Sequence, residues 1–366
     1  MHDSSPTSTP SAPPLVSVIT VCFNLVKNGR SDFFKICAES VHRQKYPQVE
    51  HIVIDGGSQD GTRELLENYA AQGWLRFISE PDKGIYDAMN KGIRAAQGKY
   101  VAFLNSDDYW HDPGGVEASV RALEESGAAF SYAPRNRVNE QGDFLFREEA
   151  GLGAFPFLMP FCHQTMFTRR DILQKYNGFD QERYHSAADY DLVLRLILGG
   201  ERGIYVPQNF TTFRSGGFSE DTKGGRTQDE TYLVRRNLLG EQAAEMISKG
   251  YLDDELMQRL LGMLHPRVAF DLLRCVIPDG PGCYSLSYGL VTSKMPGQYS
   301  PGFTRNKRYT LSLFGFFPII TVNVRNKRDD YSLFGVIPLL RIKTSDRKSS
   351  FLLFWAIPVL SIHQKK

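Results

Sequence analysis

Four short apolar runs in the first hundred residues each end in a cluster of Asp, Asn, Ser or Gly, and a stretch of helical period separates each run from the next. The runs are Leu15–Phe23, Val49–Ile54, Leu75–Ser79 and Tyr100–Leu104. Their length and their lack of apolar–polar alternation predict strands buried on both faces. Helices are predicted between them over Asp32–Arg43, Thr62–Gln72 and Ile85–Ala96. Asp112 is predicted to N-cap, with Pro113 at the first helical position, a further helix reaching Ser126. Strands that alternate with helices imply right-handed crossovers, and hence an α/β domain with a mainly parallel sheet covered on both faces.

Beyond residue 127 the pattern is mixed. A strand Ala128–Ala133, a hairpin around Gln141-Gly142, a strand Gln164–Thr168 and a helix Ala188–Leu198 are predicted to close the sheet and build its second half. Thr227 to Val276 reads as helical packing support. The last 65 residues carry an internal repeat. Ser312–Pro318 (Ser-Leu-Phe-Gly-Phe-Phe-Pro) recurs at Ser332–Pro338 and again, altered, at Leu352–Pro358, so that Phe314, Phe334, Phe354 and Pro318, Pro338, Pro358 each step by 20. A unit so short must stack on its neighbours or bury its apolar face elsewhere. The expected organisation is a disordered leader over 1–14, an α/β domain over 15–225, a helical region over 226–300 and the repeats over 301–366.

Charge separates these parts. The formal net charge is +2, but residues 302–366 hold 12 Lys/Arg against 3 Asp/Glu, a net of +9, which leaves about −7 for residues 1–301. Five scattered cysteines (Cys22, Cys37, Cys162, Cys275, Cys283) without C-x-x-C spacing indicate neither a disulfide framework nor a zinc site, and a reducing cytosol fits them best. The Ser/Thr/Pro-rich start lacks the basic and apolar segments of a signal peptide.

Ligands of open parallel sheets bind beyond the carboxyl ends of the strands, which is where the polar clusters fall. They are Cys22-Phe23-Asn24, Asp55 through Thr62, Glu80 through Gly84, and Asn105-Ser106-Asp107-Asp108. Two adjacent carboxylates after an apolar strand are costly near a core without a cation or donor partner. Hard oxygens of this kind suit Mg²⁺ or Mn²⁺ shared with substrate phosphates. Strand alternation points the two side chains apart, so one can bind the ion while the other holds sugar or ribose hydroxyls. The plain alternative is an Asp-Asp turn ahead of the helix that follows Pro113. Asp55, ahead of two glycines that permit close backbone approach, can accept from the imide N–H of uracil or thymine. Its alternative is a simple turn, with Ser58 or Asp60 capping the next helix.

Four motifs in order, Ser17–Asn24, Val53–Thr62, Asp82–Gly92 and Phe103–Asp108, together resemble the family 2 glycosyltransferases, above all bacterial members that build exopolysaccharide, capsule and O-antigen units. The resemblance runs from Leu15 to Ser219. It implies a nucleotide-diphospho-sugar transferase (GT-A) fold, a nucleotide-sugar donor with uracil as the commonest base, a divalent cation and inversion at the anomeric carbon. By motif position it implies that Val21, Phe23, Asp55, Asp82, Lys83 and Asp107 line the nucleotide, and that Asp107 and Asp108 form the aspartate motif for metal and ribose. Asn105 stands where relatives often carry Asp, which weakens any metal role for it.

Ala187 to Arg195 resembles the family's Glu-Asp-x-Asp-Leu segment, with Ala188 in place of the Glu. Asp189 thereby matches the catalytic base, which accepts a proton from the acceptor hydroxyl as that oxygen attacks, while the metal offsets charge on the diphosphate. His163 and Gln164, in Cys162-His163-Gln164, resemble a segment bordering the acceptor site. Asp191 is a further acceptor-side candidate, although it is offset by two residues and faces elsewhere on a helix. Arg214, opening Arg214-Ser-Gly-Gly-Phe-Ser219, resembles a mobile loop that closes over the diphosphate, with an ordinary surface turn as the alternative.

The tail interleaves Phe, Trp, Ile and Leu with Lys/Arg, which suits an anionic bilayer surface, and no apolar run approaches the roughly 18 residues of a spanning helix. The expectation is peripheral attachment to the cytoplasmic face of the membrane, near a saccharide or polyprenyl-linked acceptor. A stacked β-hairpin module for packing or oligomerisation is the alternative, and no nucleic-acid-reading motif accompanies the charge. Two other functions remain open at this point. A sugar nucleotidyltransferase would need a Gly-rich basic loop where this chain has Thr20–Asn24. A non-catalytic nucleotide-sugar-binding scaffold would have no use for Asp107, Asp108 and Asp189.

Overall fold

Strand β1 (Val16–Cys22) is buried at every residue and pairs in parallel with β2 (Val49–Asp55) on one side and β4 (Tyr100–Phe103) on the other. β3 (Arg76–Ser79) extends the sheet beyond β2, also in parallel. The crossovers are α1 (Ser31–His42), α2 (Thr62–Ala71) and α3 (Ile85–Ala95), within one residue of the sequence expectation at each end. The computed structural model describes residues 12–216, 226–278, 283–286 and, in the C-terminal repeats, 307–313, 317–325, 328–333, 337–345, 348–353 and 357–362.

Two further groups of strands complete the α/β unit. β9 (Phe167–Arg169) runs antiparallel to both β4 and β6 (Phe130–Tyr132), and β10 (Gly203–Tyr205) lies parallel to β6. The seven strands are ordered β10-β6-β9-β4-β1-β2-β3. A second sheet of four, β5 (Tyr109–Trp110), β11 (Thr211–Arg214), β7 (Arg135–Val138) and β8 (Phe144–Glu148), is ordered β5-β11-β7-β8. The expected hairpin at Gln141-Gly142 is the β7–β8 turn.

Apolar side chains on either side of the main sheet supply the core. One cluster joins Val16, Val18, Tyr100, Trp110, Phe167 and Phe210, and the other joins Phe34, Val53, Leu66, Tyr69 and Leu75. Each such residue, fully buried, stabilises the fold by about 1.5–3 kcal/mol before conformational entropy is counted. Helix α3 lies unusually close to the sheet: a Cβ at Gly92 would sit 2.4 Å from Ile19 Cγ2. Close approach, rather than helix propensity, accounts for a glycine inside that helix.

Three local expectations need correction. Helix α4 runs Gly115–Ser126, two residues later than the Asp112-Pro113 start: Asp112 and Pro113 form a turn ahead of it, in which the Asp112 carboxylate accepts from Gly114 N at 2.8 Å and from the Gln208 amide at 2.8 Å. The segment Gln164–Thr168 is not one strand. His163–Thr165 forms a single 3₁₀ turn, and β9 begins at Phe167. Finally, residues 227–276 are not wholly helical: α7 (Arg226–Leu239), α8 (Glu241–Ser248), α9 (Asp254–Met263) and α10 (Pro266–Cys275) are interrupted by β12 (Tyr251–Asp253). With β13 (Val276–Pro278) and β14 (Cys283–Leu286), β12 forms a small third sheet.

The chain divides into two compact units, residues 1–277 with 283–294 and residues 278–282 with 295–366. In the second, β15 (Lys307–Leu313), β16 (Phe317–Arg325), β17 (Arg328–Leu333), β18 (Ile337–Ser345), β19 (Lys348–Leu353) and β20 (Ile357–Ile362) follow one another in an antiparallel sheet. Each 20-residue repeat supplies one hairpin. Its proline sits at a register shift that recurs with the same period, where Ser312, Ser332 and Leu352 face Pro318, Pro338 and Pro358. A bulge is the place in a strand where a residue lacking an N–H is tolerated. Phe314, Phe334 and Phe354 lie outside the described residues.

Candidate functional site

At the carboxyl end of β1, Phe23 is 57% exposed, unusual for a phenyl ring bordering a core. It faces Gly56, where a Cβ would lie 3.2 Å from the ring and 2.6 Å from Asp82 Oδ2. Ring, bare backbone and carboxylate therefore line one narrow cleft that a larger residue at 56 would fill. Asp82 Oδ1 accepts from Gly84 N at 2.9 Å, yet burial still pushes its carboxyl above the ordinary value. Behind the cleft Asp55 is fully buried, accepting from Ser58 N at 3.0 Å, from Ser58 Oγ and from Ser79 Oγ at 2.7 Å. Ser58 Oγ in turn accepts from Asn24 N at 2.7 Å, which ties the end of β1 to the end of β2. Cys22 Sγ also donates to Oδ1, at 3.9 Å, so the roughly four lone-pair sites of the carboxylate all face protein donors, the thiol being the weakest of them. Val21 is buried beneath this floor, whereas Lys83 is exposed and lies 3.5 Å from Glu182.

Asp107 and Asp108 point apart. Asp108 is 1% exposed, its Oδ1 accepting from Arg214 N and its Oδ2 from Gln164 Nε2, both at 2.6 Å. Burial, and then the neighbouring charge of Asp107, push the Asp108 carboxyl up to about 8. Both of its oxygens already have protein donors, so the expected pair of ion ligands is split. Asp107 meets Arg30 Nη1 through Oδ2. Two observations bear on whether a hard divalent ion fits here. A guanidinium already occupies a cation's place on Asp107, and Asn105 Oδ1 on the same strand end is buried without a hydrogen-bond partner. Among the described residues no group of three or more His, Cys, Asp or Glu could hold an ion alone. Of this corner's carboxylates only Asp107 is open to a cation, and an ion held by it would have to draw its remaining ligands from a bound diphosphate and water.

Two expected site residues are committed elsewhere. Gln164 is fully buried, accepting from Asn105 N at 2.8 Å and donating to Asp108, so it braces the aspartate corner rather than an acceptor side. Arg214 lies inside β11, 7% exposed. Its Nη1 donates to Glu140 O at 2.8 Å, and its guanidinium stacks 4.3 Å from the Phe33 ring centroid. The rest of the loop expected there, from residue 217 on, lies outside the described residues.

Asp189 stands in the first turn of α6 (Ala188–Leu198). Tyr86 Oη donates to its Oδ1 at 3.1 Å, Tyr190 N donates to the same oxygen at 2.8 Å, and His163 Nδ1 lies 3.0 Å from Oδ2. Burial alone would raise this carboxyl. The bond and charge of His163, followed by the Tyr190 N–H and Tyr86, outweigh burial and leave it below the ordinary value. One lone-pair site remains for a hydroxyl. Tyr86 lines a cavity of about 190 Å³ together with Lys83, Tyr184 and His185 among others. Asp191 is not part of this group: it is 3% exposed and paired with Arg195, which anchors α6 to Tyr176 O and to Gly178 O.

The start of α6 is held by a residue that sequence reading missed. Glu230 on α7 accepts through Oε2 from His185 N at 2.9 Å, Ser186 N at 2.7 Å and Ala187 N at 3.1 Å. These N–H groups end the loop that leads into α6, the last of them on the residue just before the helix, and they are satisfied by a carboxylate 43 to 45 residues away. Arg235 on the same helix donates to Tyr190 Oη at 3.2 Å and to Phe157 O at 2.6 Å. Helix α7, read from sequence as packing support, therefore sets where Asp189 sits. No sequence signal marks Glu230. Tyr86 does carry one, its place inside the motif Asp82–Gly92.

Residues 17–179 match the family model described as Glycosyl transferase family 2. An uncharacterized glycosyltransferase of Mycobacterium tuberculosis is 36% identical over 198 residues, which is 50% of this chain and 70% of that protein. A putative teichuronic acid biosynthesis glycosyltransferase of Bacillus subtilis is 35% identical over 131 residues, 35% of this chain and 50% of that one. Among solved structures, Staphylococcus aureus TarS 1–349 in complex with UDP-GlcNAc aligns with a TM-score of 0.49 at 19% identity, covering 68% of this chain and 73% of the other.

Proposed function

Because this chain belongs to glycosyl transferase family 2, an enzyme family with the GT-A fold, we propose that it moves a sugar, with inversion, from a uridine-diphosphate donor to a hydroxyl of a saccharide or lipid-linked acceptor in surface polysaccharide assembly. The observation that carries this reading is the half-buried Asp189 carboxylate, held by three donors and left with one lone-pair site, whose partner Tyr86 lines a neighbouring cavity. A base so oriented can take one proton from one hydroxyl in one direction.

The remaining roles follow the strand ends. Phe23 and the Gly56 backbone receive the base and ribose, and Asp55 accepts from the uracil imide in place of the weak Cys22 thiol donor. Asp82, beside the same cleft, reaches the nucleoside. Asp107 holds a Mn²⁺ or Mg²⁺ ion, and Asp108 fixes that corner through Gln164 and Arg214. The ion, when bound, supplies positive charge against the departing diphosphate. Lys83, exposed beside the cavity, stands on the side from which the acceptor enters.

The basic C-terminal repeats suit a surface that meets anionic headgroups, and we assign them to peripheral attachment at the cytoplasmic face of the membrane. In the described residues no helix is long and apolar enough to cross a membrane. Removing residues 302–366 should release the protein from anionic vesicles; undiminished binding refutes the assignment.

A thermal-shift screen of nucleotide sugars with Mn²⁺ or Mg²⁺ tests the donor. A ligand at 100 times its Kd stabilises the native state by about 2.7 kcal/mol, so a UDP-sugar should raise the melting temperature clearly above ion alone. If no nucleotide sugar does so, the donor reading fails.

A further inference from the structure

Arg30 lies just before α1, and its guanidinium spans two distant segments. Nη1 donates to Asp107 Oδ2, and Nη2 donates to Gly216 O at 3.1 Å, just beyond β11. The Asp107 side chain is 12% exposed and that of Arg30 is 34% exposed, so the pair sits at the mouth of the site, not in its core. Asp108 lies inward of this pair, 1% exposed and bonded to Gln164 and to the Arg214 main chain. The Arg214 guanidinium reaches only the Asp107 main-chain oxygen, at 3.4 Å, and is otherwise held by Glu140 O and Phe33.

A divalent ion of this class binds an oxygen at about 2.0–2.2 Å and repels any cation on the same lone pair. Arg30 Nη1 and an ion cannot share one lone pair of Asp107 Oδ2, and an ion approaching the neighbouring Oδ1 is repelled by the guanidinium beside it. We propose that Arg30 is a resident counter-cation for Asp107, which an arriving divalent ion must drive off, so that ion uptake without a nucleotide is weak and becomes favourable once a diphosphate adds its own charge. This rests on the reading above in taking Asp107 as the ion ligand. Once displaced, the guanidinium is a free fork beside the place where the diphosphate is expected, and phosphate oxygens are its natural partners.

The sign of the test is opposite to intuition, because removing a group from the ion's neighbourhood should tighten ion binding. Mn²⁺ titrations followed by electron paramagnetic resonance on the full chain, with and without UDP, compare wild type, Arg30→Gln, Arg30→Lys and Asp107→Asn. Without UDP, Arg30→Gln should bind Mn²⁺ about fivefold more tightly than wild type, the size expected from releasing one partly exposed ion pair. The enhancement that UDP brings should shrink accordingly. Arg30→Lys, which keeps the charge, should stay within about twofold of wild type. Mn²⁺ binding by wild type with no gain in Arg30→Gln, or an equal gain in Arg30→Lys, overturns this inference alone. A wild type that takes up no Mn²⁺ even with UDP, or an Asp107→Asn variant that binds it as well as wild type, overturns the ion assignment and the inference with it.

Discussion

His163 Nδ1 lies 3.0 Å from Asp189 Oδ2, while the other ring nitrogen, Nε2, is buried without a hydrogen-bond partner. A hydrogen bond from Nδ1 to the aspartate favours the ionised carboxylate, so the dyad holds Asp189 as an anion.

A change at His163 should therefore act through the aspartate. In His163→Leu the principal opposition to burial disappears, and the Asp189 carboxyl rises. A base with a raised value is protonated sooner on acidification. The acid limb of kcat/KM should move to higher pH, while the rate on the alkaline plateau falls less. His163→Gln, which can still donate, should lie between. A limb that stays in place in His163→Leu argues against the dyad.

Glu230 holds the loop that leads into the turn carrying Asp189. Glu230→Ala leaves three main-chain N–H groups unsatisfied and should cost about 2–3 kcal/mol in urea unfolding, with kcat reduced more than donor affinity. Glu230→Gln retains an acceptor oxygen and should lose about half as much stability. A Glu230→Ala protein of wild-type stability would contradict that role.

Gly56 keeps the cleft open between Phe23 and Asp82. Gly56→Ala should weaken UDP binding, measured by calorimetry, by about tenfold, which is the effect of roughly 1.4 kcal/mol. Unfolding stability should change little, because the new methyl meets the side chains of a solvent-facing cleft. Unchanged UDP affinity would mean that the nucleotide does not approach that backbone.

Gly92 is the corresponding test of the fold. A methyl there meets Ile19 in the β1 core, so Gly92→Ala should destabilise by about 1–3 kcal/mol despite the better helix propensity of alanine.

What the sequence made legible follows from the range of the interactions involved. Strands β1, β2 and β4 are continuous apolar runs, a signal carried by each segment alone, and so are the helices between them. Asp107 and Asp108 are set on different tasks not by strand alternation but by a turn after β4, in which Asp108 N donates to Asn105 O at 3.1 Å. Residues governed by distant partners were not legible. Arg30 meets Asp107 across 77 positions, and Glu230 reaches the start of α6 from a helix that carries no motif. The Gln208 amide on the Asp112 carboxylate is a distant contact of the same kind. His163 and Gln164 are neighbours in sequence but serve different corners, His163 at Asp189 and Gln164 at Asp108, because a 3₁₀ turn rather than a strand carries them.

Transfer of sugar from a UDP-sugar in the presence of Mn²⁺, compared between wild type and Asp189→Asn, bears most directly on the reaction. The amide keeps the shape but cannot accept a proton. The account expects kcat to fall by about 10²–10⁴-fold while the donor's Kd stays within about twofold of wild type. Turnover by Asp189→Asn at the wild-type rate would remove Asp189 from the chemistry.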